Sequence, residues 1–249
     1  MTYKGSVQSL KDFWECRSES FERDYSIRLE GIIKLVTAVA GLIERKFVLD
    51  IGCGPGILAE LYPKNSNVVG LDFSTSMLRS AKARIPQLVL GDTLNLPFGG
   101  KTFRVVTCFF VASDYTQKER IFSECFRVLE NNDVLLFADY SLKDEHWKLR
   151  RQIRPITGES CDIYIEDQKA LTNKLESTGF TVQEIRPIRF NAGFELMRYV
   201  KTETELQLLK EAKPDLFRQI QSFKERKTIK REFILIVARK QQAHIIVSE

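Results

Sequence analysis

Short apolar runs alternate along this chain with longer stretches in which apolar residues recur every three or four positions. Residues 47–51, 67–71, 88–90, 103–110 and 134–138 are apolar enough to be strands buried on both faces, as in a parallel sheet. Leu29, Ile32, Ile33, Val36, Val39, Ala40 and Ile43 recur at helical spacing and predict a helix packed on the sheet edge. Met77, Leu78 and Ala81 predict another, with Ser74 as its N-cap. Thr116-x-x-Glu119 reads as a capping box ahead of Ile121, Phe122, Cys125, Phe126 and Leu129. Asn131 or Asn132 is expected to take a left-handed conformation between that helix and the next strand. Residues 8–23 predict a first helix with no obvious stop before Tyr25. Leu171 and Leu175 mark a helix closed by Gly179, and 180–190 and 233–238 read as the last two strands. Residues 203–226 form one or two amphipathic helices split by Pro214. Alternation of strand and helix predicts an α/β fold.

The stretch Phe47-Val48-Leu49-Asp50-Ile51-Gly52-Cys53-Gly54-Pro55-Gly56 joins a buried strand to a helix through alternate glycines. Each glycine removes a Cβ that would keep a ligand from the backbone N–H groups. A dinucleotide fingerprint needs G-x-G-x-x-G. Here the spacing is G-x-G-x-G, and Asp50 stands two residues before the first glycine. A carboxylate there repels phosphates and suits a cation; S-adenosylmethionine carries a sulfonium and an ammonium and no phosphate. Asp72 ends the next strand 22 positions on, where an acid can accept from both ribose hydroxyls. Asp92 ends the third, placed for an adenine amine, with the Thr93 N–H available to a ring nitrogen.

These residues resemble the first motif of the class I S-adenosylmethionine-dependent methyltransferases. Asp72-Phe73-Ser74-Thr75-Ser76-Met77-Leu78 is similar to that family's second motif. Gly91-Asp92-Thr93-Leu94-Asn95-Leu96-Pro97-Phe98 resembles the small-molecule type, like the ubiquinone/menaquinone C-methyltransferases. The resemblance covers residues 47–139. It implies a Rossmann-like three-layer sandwich with a seven-stranded, mostly parallel sheet whose last strand is antiparallel. It implies S-adenosyl-L-methionine as cofactor, held by Tyr25, Asp50, Gly52, Cys53, Gly54, Gly56, Asp72, Phe73, Met77, Gly91, Asp92, Thr93 and Phe109. Tyr25 would reach the cofactor's carboxylate, and Phe73 and Met77 would border the adenine. A packing aromatic is the alternative for Tyr25, and a core residue for Met77. Residues 1–46 are expected to be a helical cover. Residues 47–249 are expected to be the methyltransferase domain, with insertions at about 140–165 and 195–231.

Composition narrows the function. The 249 residues are 43% hydrophobic and 29% charged, enough for one large α/β domain. No apolar run approaches the roughly 18 residues that span a bilayer, and the first residues lack a secretory pattern. Five cysteines without a C-x-x-C pair suggest reduced thiols and a cytoplasmic home. No metal site is expected. Net charge is +5, and residues 201–240 hold eleven Lys/Arg against six Asp/Glu. That basic stretch leaves open an RNA or protein methyltransferase, and the alternative is a solvated helix face. A module that binds the cofactor without turnover is a third reading. The fourth strand runs into Phe110-Val111-Ala112-Ser113, not the N-P-P-Y type of sequence used on nucleobase amines. Tyr25, Asp114, Tyr115, Tyr140 and His146 are conceivable pocket groups; Tyr115 and His146 stand as candidate catalytic residues, with a structural role for His146 beside Trp147 as the alternative. The expected acceptor is a small molecule methylated at carbon, oxygen or nitrogen, with nucleic acid not favoured, no membrane insertion, and a monomer or homodimer.

Overall fold

β1 (Phe47–Ile51) lies inside a seven-stranded sheet and fixes where a ligand can sit. The computed structural model describes residues 7–15, 28–157, 164–194 and 202–241. With β2 (Asn67–Asp72), β3 (Gln87–Leu90), β4 (Phe103–Phe109), β5 (Leu129–Tyr140), β6 (Phe180–Gly193) and β7 (Thr228–Lys240), the order is β3-β2-β1-β4-β5-β7-β6. Strands β1 to β5 pair in parallel, and β7 runs antiparallel to both β5 and β6. Chain order reverses between β1 and β4, so a crevice opens above their carboxyl ends.

Period-two alternation divides the strand side chains between two cores. Val48, Val105, Leu136 and Val237 pack on one face under α2 (Leu29–Ile43), α6 (Glu145–Thr157), α8 (Glu203–Ala212) and α9 (Pro214–Arg226). Leu49, Ile51, Val106, Phe137 and Ile236 face α5 (Lys118–Val128) and α7 (Gln168–Ser177). The remaining helices are α1 (Val7–Glu15), α3 (Ile57–Glu60) and α4 (Thr75–Ala81).

Several local expectations change. The capping box at Thr116 does not form: α5 starts at Lys118 after Gln117, and no side chain caps it. The Glu119 carboxylate is drawn instead to Lys174 of α7. Of the two asparagines, Asn132 takes the left-handed conformation, at φ 65°. It lies within β5, where pairing with β4 slips between Phe103 and Val105. β6 and β7 extend past the predicted 180–190 and 233–238. Polar residues hid that extension, because Arg231 and Glu232 are buried by pairing and not by being apolar.

Asp144 does that pairing. It is fully buried and accepts from the Arg231 Nε at 2.8 Å, the Glu232 N–H at 2.9 Å and the Trp147 N–H at 3.1 Å. It therefore caps α6 and fastens it to the start of β7. Removing one member of such a pair leaves a buried charge uncompensated. Arg231→Ala should lower unfolding free energy by about 3–5 kcal/mol in urea titrations. A loss under about 1 kcal/mol would show that Asp144 is stabilised by its backbone partners alone.

Candidate functional site

The turn after β1 is built on backbone conformations that side chains resist. Gly52, Gly54 and Gly56 have φ of 63°, 53° and 81°. A Cβ on Gly52 would come within 2.3 Å of Val111 Cγ2, in the loop after β4. The Gly54 N–H donates to Asp72 Oδ2 at 2.9 Å, and the Ser74 N–H donates to Asp72 Oδ1 at 2.9 Å. One carboxylate thus clasps the turns after β1 and β2. Each oxygen keeps acceptor capacity for a ligand hydroxyl. Burial pushes the Asp72 carboxyl up to about 6.

Asp50 is held differently. Its Oδ1 accepts from the Thr107 hydroxyl at 2.6 Å and lies 3.5 Å from the Tyr62 hydroxyl. Its Oδ2 is buried with no hydrogen bond. Burial raises this carboxyl to about 7. An orphaned, buried carboxylate oxygen beside a glycine turn fits a cationic ligand group. Thr107 and Tyr62 are site residues that sequence reading missed; one sits inside an apolar strand and the other beyond α3, and neither belongs to a motif.

Asp92 Oδ1 accepts from the Leu94 N–H at 2.9 Å, which shapes the turn after β3. Asp50, Asp72 and Asp92 thus stand at the carboxyl ends of three neighbouring strands. Gly91 donates to the Asp72 carbonyl at 3.0 Å, and a Cβ there would press on Leu71. Thr93 is buried near Tyr115. Cys53 is buried under the turn, its N–H bonded to the Leu71 carbonyl at 3.0 Å. Phe73 borders one core beside the second turn, Phe109 lies buried within the other, and Met77 is buried on α4. Tyr25 lies outside the described residues.

The N-terminal helix reaches this rim by two polar links that lie far apart in sequence. Glu15 takes the Ser74 hydroxyl at 2.6 Å, the Thr75 hydroxyl and the Ser76 N–H at 3.2 Å. Those donors, Ser74 first, pull its carboxyl down to about 2. Trp14 Nε1 donates to Asp114 Oδ2 at 2.9 Å, in the 3-10 turn Ala112–Asp114 that follows β4. The helix therefore bridges the turn after β2 and the turn after β4.

Beyond β4 the rim becomes aromatic. Phe110, at φ 62°, packs against Tyr140 and Phe233 with ring centroids at 5.2 and 4.5 Å. Tyr140 also accepts a hydrogen bond from Arg28 and stacks obliquely on Trp147 at 4.8 Å. His146 meets the edge of Trp147 at 4.9 Å. Tyr115 is buried, and burial pushes its phenol far up, so it is a poor proton acceptor at neutral pH.

The sheet order, the glycine turn and the acid clasp together resemble those of the class I S-adenosylmethionine-dependent methyltransferase domains. Residues 49–137 match the family model described as a methyltransferase domain, and there the chain resembles the ubiquinone/menaquinone C-methyltransferases. That domain implies S-adenosyl-L-methionine as the cofactor. An uncharacterized protein of Methanocaldococcus jannaschii is 27% identical over 58% of this chain and 57% of its own length. A demethylmenaquinone methyltransferase of Renibacterium salmoninarum is 32% identical over 43% of this chain and 47% of its own. The chain thus spans about half the length of these curated relatives. Among solved structures, a Bacillus halodurans protein put forward as a methyltransferase shares the fold. Its TM-score is 0.67 at 23% identity, covering 84% of this chain and 99% of that one.

The two buried acids give a signed pH dependence. Both carboxyls titrate higher folded than the ordinary 3.8. Their contribution to stability is intact below that value and falls as pH rises towards about 6 and 7, because the charged form is the disfavoured one. A cation bound beside them favours the charged form. Affinity for S-adenosylmethionine should therefore rise through pH 6–7, with proton release at pH 6. Calorimetry in buffers of different ionisation enthalpy measures the release, and Asp50→Asn should reduce it. Release unchanged in that variant would remove Asp50 from the cation's surroundings.

Proposed function

We propose that this chain transfers a methyl group from S-adenosylmethionine to a small-molecule acceptor. The observation that carries the reading is the Asp72 clasp on the glycine turn, with the orphaned Asp50 oxygen beside it. In this reading Asp72 accepts from the ribose hydroxyls, and the turn's remaining N–H groups face the methionine part. Asp50 Oδ2 faces the positive charge. Asp92 and the Thr93 N–H read the adenine, and Phe73 and Met77 border it. The cofactor, when bound, supplies a methyl group on a positively charged sulfur. The protein's share is to orient the acceptor, exclude water and hold charge in place. The relative named for demethylmenaquinone supports a small-molecule acceptor here.

Among the described residues no helix is long and apolar enough to cross a membrane. The cytoplasm is the compartment that suits the free, buried Cys53, Cys108 and Cys125.

Titration calorimetry with S-adenosylmethionine tests the reading. Asp72→Ala should weaken binding by about 1–3 kcal/mol, the scale of lost hydrogen bonds to a charged group. Its melting temperature should be followed alongside, since the Gly54 N–H also loses its partner. Undiminished affinity in a folded variant would place the ribose elsewhere, and no binding by the wild-type chain would end the proposal.

A further inference from the structure

Among the described residues, Asp114 is the one rim carboxylate outside the cofactor motifs that is fastened to the N-terminal helix. It ends the 3-10 turn after β4, and β4 lies between β1 and β5 in the sheet. The nucleoside contacts assigned above lie over β2 and β3. The sulfonium end therefore points towards β1 and β4, and an acceptor must approach from the β4–β5 side. Asp114 stands on that approach, with Asp72 of β2 and Asp139 of β5 both among its electrostatic neighbours.

Its two oxygens differ. Oδ2 is taken by the Trp14 indole N–H at 2.9 Å. Oδ1 receives no hydrogen bond from a described residue, and Asp114 is only half-buried. An indole N–H is a donor only. It therefore fixes the carboxylate's orientation and cannot take the carboxylate's proton. Burial raises this carboxyl to about 7, with Asp139 and Asp72 adding to the rise and Lys118 opposing it. Tyr115 and Tyr140 also face it, both with phenols raised by burial. A carboxylate poised there accepts a proton near neutral pH.

We propose that Asp114 is a catalytic residue whose Oδ1 accepts the proton of the attacking atom, and that Trp14 is its positioning residue. The inference rests on the methyltransferase reading and narrows it: the attacking atom is a nitrogen or oxygen that carries a proton and turns its lone pair to the methyl. The attacking atom bonds to the methyl carbon as the carbon–sulfur bond breaks, and the electron pair of that bond returns to sulfur. The attacking atom's proton passes to Asp114 and then to solvent. Docking of α1 completes the site, because Trp14 reaches Asp114 only from that helix.

Two cofactor analogues test this without a known acceptor. S-adenosylhomocysteine has nothing at the methyl position, whereas sinefungin places a primary amine there, a donor aimed where the acceptor's proton would be. Calorimetry should show that Asp114→Asn lowers sinefungin affinity about tenfold relative to S-adenosylhomocysteine, the scale of a charge-assisted hydrogen bond. Retained S-adenosylhomocysteine binding shows that the variant is folded. Trp14→Phe should lower the same ratio by a smaller factor. In the wild type the ratio should shrink as pH falls through about 7, as Asp114 takes its own proton. Asp72, assigned to the ribose of both ligands, cancels in the ratio, and repeating the pair of titrations in Asp50→Asn removes any share of the pH dependence that belongs to Asp50. Equal losses for the two ligands, or a ratio flat with pH, would overturn the role of Asp114 and leave the cofactor reading standing. Failure of the wild-type protein to bind either ligand would overturn both.

Discussion

The double acceptance by Asp72 is the constraint on which the site depends. Two loops from neighbouring strands meet at one carboxylate, which takes the Gly54 N–H on one oxygen and the Ser74 N–H on the other. The glycine turn could not follow this path with side chains at Gly52 or Gly56, given their left-handed φ and, at Gly52, the nearness of Val111. The clasp fixes the turn before any ligand arrives. A carboxylate that orders its own loops in this way is preorganised, and little ordering of those loops remains to be done on binding.

The electrostatics of the rim follow from that architecture. Asp50, Asp72, Asp114 and Asp139 all stand at or just beyond strand ends, and burial raises each carboxyl into the range of about 6 to 7. Against them stands Lys118, which is almost completely buried and donates to the Tyr115 carbonyl at 2.9 Å. Its ammonium is itself disfavoured by burial, so it offsets the acids only in part. A crevice so charged repels phosphates and attracts a sulfonium. The same rim that repels a dinucleotide holds a proton acceptor near the β4–β5 end.

Much of this was legible in the sequence, and for a definite reason. Asp50, Asp72 and Asp92 each end a short apolar run and sit beside their own turn residues, so one local stretch shows both the strand and its acid. The strands and the helices between them follow from the same apolar pattern, whereas the seven-stranded, mostly parallel sheet was implied by the resemblance to the methyltransferase family. Pairings distant in sequence were not legible. Trp14 meets Asp114 across 100 positions, and Glu15 meets Ser74 across 59. Nothing in the spacing of residues 8–23 distinguishes those two side chains from their neighbours. The long arm of β7 was missed because Arg231 and Glu232 look exposed until Asp144, Ser141 and Arg189 are seen around them. The capping box at Thr116 failed because Lys174, on a helix 55 positions away, competes for Glu119.

A crystal structure of the chain with S-adenosylhomocysteine bound tests the central claim most directly. Both ribose hydroxyls should lie within hydrogen-bonding distance of Asp72, the homocysteine ammonium beside Asp50, and the adenine against the turn that begins at Asp92. Density for the nucleoside away from Asp72, or a phosphate-bearing nucleotide seated in the bend from Gly52 to Gly56, would contradict it.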